Sequence, residues 1–142
     1  MTTLASGIIL YRRAGSQTRL LLLRNRRTGH WGFAKGRRDA SDAHEVHTAQ
    51  REVLEETGYE VAALHDGFRV ELAYVVRDPV NPYPKRVVYF LAEAPAHEPA
   101  LSEEHDRATW AAPDEAVRLL VHGQMQDLAR AAFAAANGAG QR

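Results

Sequence analysis

A layered α/β or α+β fold around a mixed sheet is predicted by the order of patterns along the chain. Apolar runs of strand length come in series, helical periodicities are set apart from one another, and no internal repeat is present. With 142 residues, the simplest organisation is one domain spanning 1–142, long enough to bury a real core.

LASGIILYRR (4–13) and RLLLLRN (19–25) are apolar runs split by AGSQT, so they read as two strands joined by a hairpin-like turn. NRRTGHWGFAKGRRDAS (25–41) reads as a basic, glycine-studded loop. Asp42 followed by Glu45 resembles a capping box. The helix it predicts runs through EVHTAQREVLEET and stops at Gly58, with Val46, Ala49 and Val53 as its inward stripe. In GFRVELAYVVRD, Phe68, Val70, Leu72, Tyr74 and Val76 fall on one side of a strand, with Arg69, Glu71 and Arg77 on the other. DPVNPYP is a proline-rich connection to the next strand, KRVVYFLAE, and a short strand around RATW follows the loop LSEEHD. Pro113 opens a helix over DEAVRLLV, as a first-turn proline can. A last helix, QMQDLARAAFAAAN, ends near Gly138, and the tail 138–142 is expected to fray.

Composition removes several function classes. Lysine plus arginine equals aspartate plus glutamate, 18 each, so no overall field favours bulk nucleic-acid or membrane binding. Cysteine is absent, which excludes thiolate catalysis, disulfides and sulfur-ligated zinc. The start MTTLASGIILYRR reads as a strand and not a signal peptide, and no stretch is apolar for long enough to span a bilayer. A cytoplasmic location is the expectation. The oligomeric state has no signature in the sequence.

The stretch REVLEETGY carries the most specific chemistry. Glu52, Glu55 and Glu56 stand at i, i+3 and i+4, so a helix gathers their carboxylates on one face despite their repulsion. A solvated surface paired to Arg51 or Lys85 is the plainer explanation. Against it stand the clustering of the acids without interleaved lysine, the helix stop just beyond them, and the basic glycine-rich loop that feeds the same helix. Magnesium takes hard oxygen ligands, usually one or two carboxylates with waters and substrate phosphates. Several carboxylates can hold more than one ion and clamp both attacking and leaving oxygens.

The segment from Gly36 to Tyr59 resembles the Nudix box, G-x5-E-x7-R-E-U-x-E-E-x-G-U with U apolar. Arg51, Glu52, Val53, Glu55, Glu56 and Gly58 match its second half, with Tyr59 at the last apolar place. The first half is one residue longer than the pattern, and its glutamate is replaced. In the family that acid mainly supports the box arginine, and Asp42 or Glu45 is expected to substitute for it. SGIILYRR, LLLLR, HWGFAKG, GFRVELAYVVRD, PKRVVYFLAE and LSEEH followed by a Trp resemble, in order, the asymmetrical diadenosine tetraphosphate hydrolase branch of that superfamily.

The resemblance implies an α/β/α sandwich around a mixed sheet, and hydrolysis of a nucleoside diphosphate linked to another moiety with Mg2+ or Mn2+. It implies that Glu52, Glu55, Glu56 and Glu104, with the carbonyl of Gly36, hold the metal, and that Arg51 orients the glutamates. Whether Glu104 or a helix glutamate deprotonates the water is left open by the sequence. His30, Lys35 and Lys85 match phosphate-contacting positions, and Tyr74 and Tyr89 match positions lining the nucleotide site. A dinucleoside polyphosphate or other nucleotide is the expected partner, with no membrane and no obligatory nucleic acid. Removal of pyrophosphate from the 5′ end of RNA, cleansing of nucleoside triphosphates, and a non-catalytic nucleotide sensor are the alternatives.

Plainer roles compete at several of these positions. Tyr74 and Tyr89 lie on the apolar side of their strands, where core packing rivals base stacking. Lys85 reads equally as an edge-strand charge, and His30 as a loop cap. His44 and His47 have a spacing that could grip a metal, but they lack the HExxH pattern and a third ligand, so a solvated helix face is expected. Trp31 and Trp110 are expected to pack.

Overall fold

The computed structural model describes residues 2–139. Its elements in chain order are β1 (Thr3–Ala14), β2 (Gln17–Asn25), β3 (Trp31–Gly32), β4 (Ala34–Arg37), α1 (Glu45–Thr57), β5 (Val70–Val76), β6 (Tyr83–Glu93), β7 (His105–Ala111), α2 (Pro113–Leu119) and α3 (Gly123–Ala139).

The strands form a mixed sheet in the order β3-β2-β1-β6-β5, with β4 also paired to β1 and β7 to β2. β1 runs parallel to β6 from Thr3↔Lys85 to Tyr11↔Glu93, and the other pairings are antiparallel. β1 sits centrally with both faces covered, which explains why IILY is a continuous apolar run instead of an alternation. Its residues divide by parity. Ile8 and Leu10 join Leu21, Leu23, Val88 and Phe90 in one core cluster, against Ala49 and Val53 of α1. Ile9 and Tyr11 join Leu20, Leu22, Val87 and Leu91 in a second cluster, against Leu128, Ala132 and Phe133 of α3. Helices therefore cover both faces of the sheet, as the Nudix resemblance implies.

α1 ends where the sequence places its end. Gly58 adopts φ 75°, in the left-handed region that penalises a β-carbon, and its N–H donates to the Leu54 carbonyl at 2.9 Å. The start differs from expectation. His44 is the N-cap, its Nδ1 accepting from the His47 N–H at 3.2 Å, while Asp42 points elsewhere. No capping box forms, because the Asp42 carboxylate is committed to Arg51 and Thr48.

The basic segment 25–41 is also more ordered than a loop. β3 and β4 lie within it, bonded to β2 and β1 respectively. Its glycines and charges hide any alternation, so the strands are defined by their partners. The last helix is described through Ala139, next to the stop expected near Gly138, so residues 138 and 139 of the tail are helical. The rest of the tail expected to fray, 140–142, lies outside the described residues. Among the described residues no helix is long and apolar enough to cross a membrane.

Candidate active site

Two side chains of α1 anchor the site, and each has a distinct local cause. Arg51 directly precedes Glu52 and lies one turn before Glu55, and its guanidinium is the hub. Nε donates to Asp42 Oδ1 and Nη2 to Asp42 Oδ2, both at 3.0 Å, in the bidentate fork that arginine alone offers. Nη1 reaches Glu52 at 3.0 Å and Glu55 at 3.1 Å, and Nη2 also donates to the Arg37 carbonyl at 3.0 Å. Of the two acids expected to support Arg51, Asp42 does so. Glu45 is engaged instead by Arg69, at 2.6 and 2.9 Å. Asp42 is buried, and it also accepts from the Asp39 N–H and the Thr48 hydroxyl, each at 2.8 Å. The Arg51 hydrogen bonds, first among these contacts, hold its carboxyl far below the usual carboxylate range.

Glu56 is the second anchor. It is 5% exposed, and among the described residues its carboxylate receives one hydrogen bond, from the Lys35 backbone N–H at 3.2 Å. Burial, reinforced by the nearby Glu52 and Glu104, pushes its carboxyl up to about 8, against the pull of that N–H. Glu52 is also raised, first by burial and then by Glu55 and Glu104, with Arg51 opposing. Glu55 is exposed. A β-carbon at Gly36 would overlap the Glu52 carboxylate, so glycine there lets the carboxylate lie directly against the backbone of β4.

His30, Trp31, Lys35, Glu56, Glu104 and His105 line one cleft of about 240 Å³. Glu104 enters it from the loop before β7, which is tied to the β2 end by Arg26 N–H to the Glu104 carbonyl at 2.8 Å. His30 is exposed at the cleft mouth, its ring edge-on to His122 at 6.3 Å. Trp31 packs half-buried on the α3 side. Trp110 packs on the α1 side, its ring under the Arg12 guanidinium at 4.4 Å. His44 and His47 serve as local backbone partners at the start of α1.

Beyond the cleft the cations gather. Lys85 is half-buried beside Lys35, and burial first, then Lys35 and Arg37, push its ammonium down to about 8. Arg37 donates to the Tyr83 hydroxyl at 3.1 Å, a contact that sequence reading missed because its two partners lie on different strands. Tyr74 stands opposite Lys85 on the edge strand and is 37% exposed. Tyr89 does not share that position. It is 1% exposed and packs edge-on against Phe33 at 6.0 Å, so its ring has no free face for a base. Tyr74 and Tyr89 share the parity of the α3-side face, but only Tyr89 lies where the core covers it.

The donor set suits a hard divalent cation. Buried carboxylates that raise one another are acids short of positive charge, and cations relieve that frustration. Among the described residues no three acidic or histidine side chains by themselves gather into a ligand cage. The ligand set would draw on the Gly36 carbonyl, waters and substrate phosphate beside Glu52 and Glu56, which is magnesium's usual habit.

The chain matches the NUDIX domain over residues 1–132 and belongs to that family. It is a Nudix hydrolase, acting on pyrophosphate-type bonds. Among solved structures it is similar to the C. elegans Ap4A hydrolase in a binary complex, with 27% identity and a TM-score of 0.81 over 91% of this chain and 93% of that one. A second structure of the C. elegans Ap4A hydrolase shares 26% identity at a TM-score of 0.76, covering 92% and 95%. The NUDIX domain of Shewanella oneidensis NrtR, complexed with ADP ribose, shares the fold at 17% identity and a TM-score of 0.72, covering 92% and 87%. No curated protein matches the sequence.

Proposed function

We propose that this Nudix hydrolase cleaves dinucleoside polyphosphates with magnesium or manganese, converting diadenosine tetraphosphate and water to ATP and AMP. The observation that carries this reading is the likeness to the C. elegans Ap4A hydrolase along 91% of this chain and 93% of that one. The placement of Lys35, Lys85 and Tyr74 beside the glutamate cleft supports it, because a long anion ending in a base needs both cations and an exposed ring.

The residues divide the work by chemistry. Polyphosphate resists water because its own charge repels the nucleophile. The chemistry supplied by a bound divalent cation is neutralisation of that charge and polarisation of the phosphoryl oxygens. Glu52, Glu56 and Glu104 with the Gly36 carbonyl would hold it, with Glu55 at the exposed rim. Arg51 fixes the rotamers of Glu52 and Glu55 while Asp42 fixes Arg51, so the carboxylates are set before substrate arrives. Lys35 and Lys85 neutralise phosphate oxygens, and His30 closes the cleft mouth. A carboxylate of the cleft, from Glu104 or α1, takes the proton of the attacking water. The new P–O bond forms in line with the one that breaks, at the fourth phosphorus from one adenosine.

Purified protein with magnesium and diadenosine tetraphosphate should give ATP and AMP in equal amounts. Two ADP would mean a different cleavage mode. Absence of metal-dependent hydrolysis of any phosphoanhydride would overturn the reading.

A further inference from the structure

Two buried side-chain atoms in the turn that delivers Glu104 have no hydrogen-bond partner among the described residues: Ser102 Oγ and His105 Nδ1. Buried polar atoms are nearly always satisfied, and each exception calls for an explanation, a functional role being one. These two belong to one turn, closed by the His105 N–H donating to the Ser102 carbonyl at 3.2 Å. The turn is held from three sides. Ser102 N–H donates to the Glu56 carbonyl at 3.4 Å, Arg26 N–H donates to the Glu104 carbonyl at 2.8 Å, and Arg24 grips Asp106 at 2.9 and 2.8 Å. The His105 imidazole is thus fixed in the wall of the cleft that also contains Glu56, Glu104 and Lys35.

We propose that His105 is a substrate-binding residue, donating Nε2–H to a phosphoryl oxygen, and that Ser102 is the positioning residue that sets its tautomer. The inference rests on the hydrolase reading above. A neutral imidazole carries one proton. On Nδ1 that proton would be buried without an acceptor, whereas on Nε2 it meets the anionic oxygens that the cleft admits. Nδ1 then becomes an acceptor, and a rotation of the Ser102 side chain when substrate binds would supply the donor from the same turn, since the two atoms are not hydrogen-bonded to each other in the free protein. Pairing the two orphans satisfies both and points the remaining N–H at the substrate.

The test uses 15N-labelled full-length protein at pH 7.5 with magnesium and a non-hydrolysable methylene analogue of ATP. His105 signals, assigned by their loss in His105→Gln, should report the Nε2–H tautomer and shift when the analogue is added. His105→Leu should weaken analogue binding about ten- to a hundredfold, the worth of a hydrogen bond to a charged group. His105→Gln, whose amide nitrogen reaches the place of Nε2, should keep most of the affinity. Ser102→Ala should move the imidazole toward the Nδ1–H tautomer and weaken binding. An Nδ1–H tautomer in the wild type, or equal affinities for the Leu and Gln variants, overturns the assignment. If the Leu variant does not fold, the tautomer and affinity of Ser102→Ala decide. Wild-type protein that binds the analogue as described but leaves diadenosine tetraphosphate intact overturns the substrate reading alone. Failure to bind the analogue overturns this inference, while ATP and AMP formed in the cleavage assay would still uphold the substrate reading.

Discussion

Arg51 and Asp42 are joined by two parallel hydrogen bonds of 3.0 Å each, nine residues apart in sequence and across the start of α1. Asp42 is 5% exposed, and the same guanidinium also reaches Glu52 and Glu55. A buried acid therefore fixes an arginine, and the arginine in turn fixes Glu52, whose charge bears on Glu56, and the exposed Glu55. Asp42 stands in the turn that precedes α1 and so reaches Arg51 from outside the helix.

Asp42→Asn should lower kcat/KM about ten- to a hundredfold, the usual effect of losing a group that orients metal-site ligands. The Asn side chain keeps the shape but cannot accept both guanidinium bonds as an anion. The magnesium concentration for half-maximal activity should rise in parallel. Unchanged activity with an unchanged magnesium requirement would sever Asp42 from the site.

The Glu56 carboxyl, raised to about 8 in the folded protein, makes stability depend on pH in a defined direction. Between the ordinary value near 4.5 and about 8 the folded chain holds a proton at Glu56 that the unfolded chain has released. This group's contribution to stability therefore falls as pH rises through that window, and the full penalty is present above it. Without divalent cation, wild type should lose stability relative to Glu56→Gln between pH 5 and pH 8.5, by a difference on the order of a few kcal/mol. Urea titrations measure it. Gln keeps an oxygen for the Lys35 N–H, so it isolates the charge. Manganese affinity should rise over the same pH range, since binding displaces the proton. Curves for the two proteins that stay parallel with pH would refute the assignment.

The way these groups meet explains which parts were legible in the sequence. Gly58 and the Val53 stripe are local signals, so the end and inner face of α1 follow from them directly. The divided parity of β1 was not legible, because a continuous apolar run carries no alternation and the two faces are told apart only by what packs on them. β3 and β4 were not, because segments of two and four residues carry no period and exist through pairing with β2 and β1. Asp42 was read as a cap from its spacing to Glu45, whereas a competing tertiary partner, Arg51, takes its carboxylate. Tyr74 and Tyr89 look alike in an alternating strand, and only the extent of cover over the sheet separates them. The contact between Arg37 and Tyr83 had no local signal at all.

Lys85, pushed down to about 8 by burial and by Lys35 and Arg37, should lose its charge in the free enzyme as pH rises past that value. With magnesium saturating, KM for a polyphosphate should therefore climb above about pH 8. Lys85→Gln should raise KM at pH 7 about tenfold, the scale of one charge-assisted hydrogen bond, and flatten the alkaline rise. An alkaline rise that persists in the variant would assign it to another group, with Glu56 the first alternative.

Tyr74 and Tyr89 should respond to truncation in opposite ways. Tyr74 is 37% exposed on the edge strand opposite Lys85, so Tyr74→Ala removes a stacking face at little cost to the core. KM for diadenosine tetraphosphate should rise about five- to a hundredfold, the range for losing one base–aromatic stack, while Tyr74→Phe stays near wild type. Tyr89, at 1% exposure, fills the core against Phe33. Tyr89→Ala should cost about 3–5 kcal/mol of stability through the cavity it leaves, with KM per folded molecule little changed. Steady-state kinetics paired with urea denaturation on both variants separates the roles. A stability loss at Tyr74 with unchanged KM would return that residue to the core and leave the base without its ring.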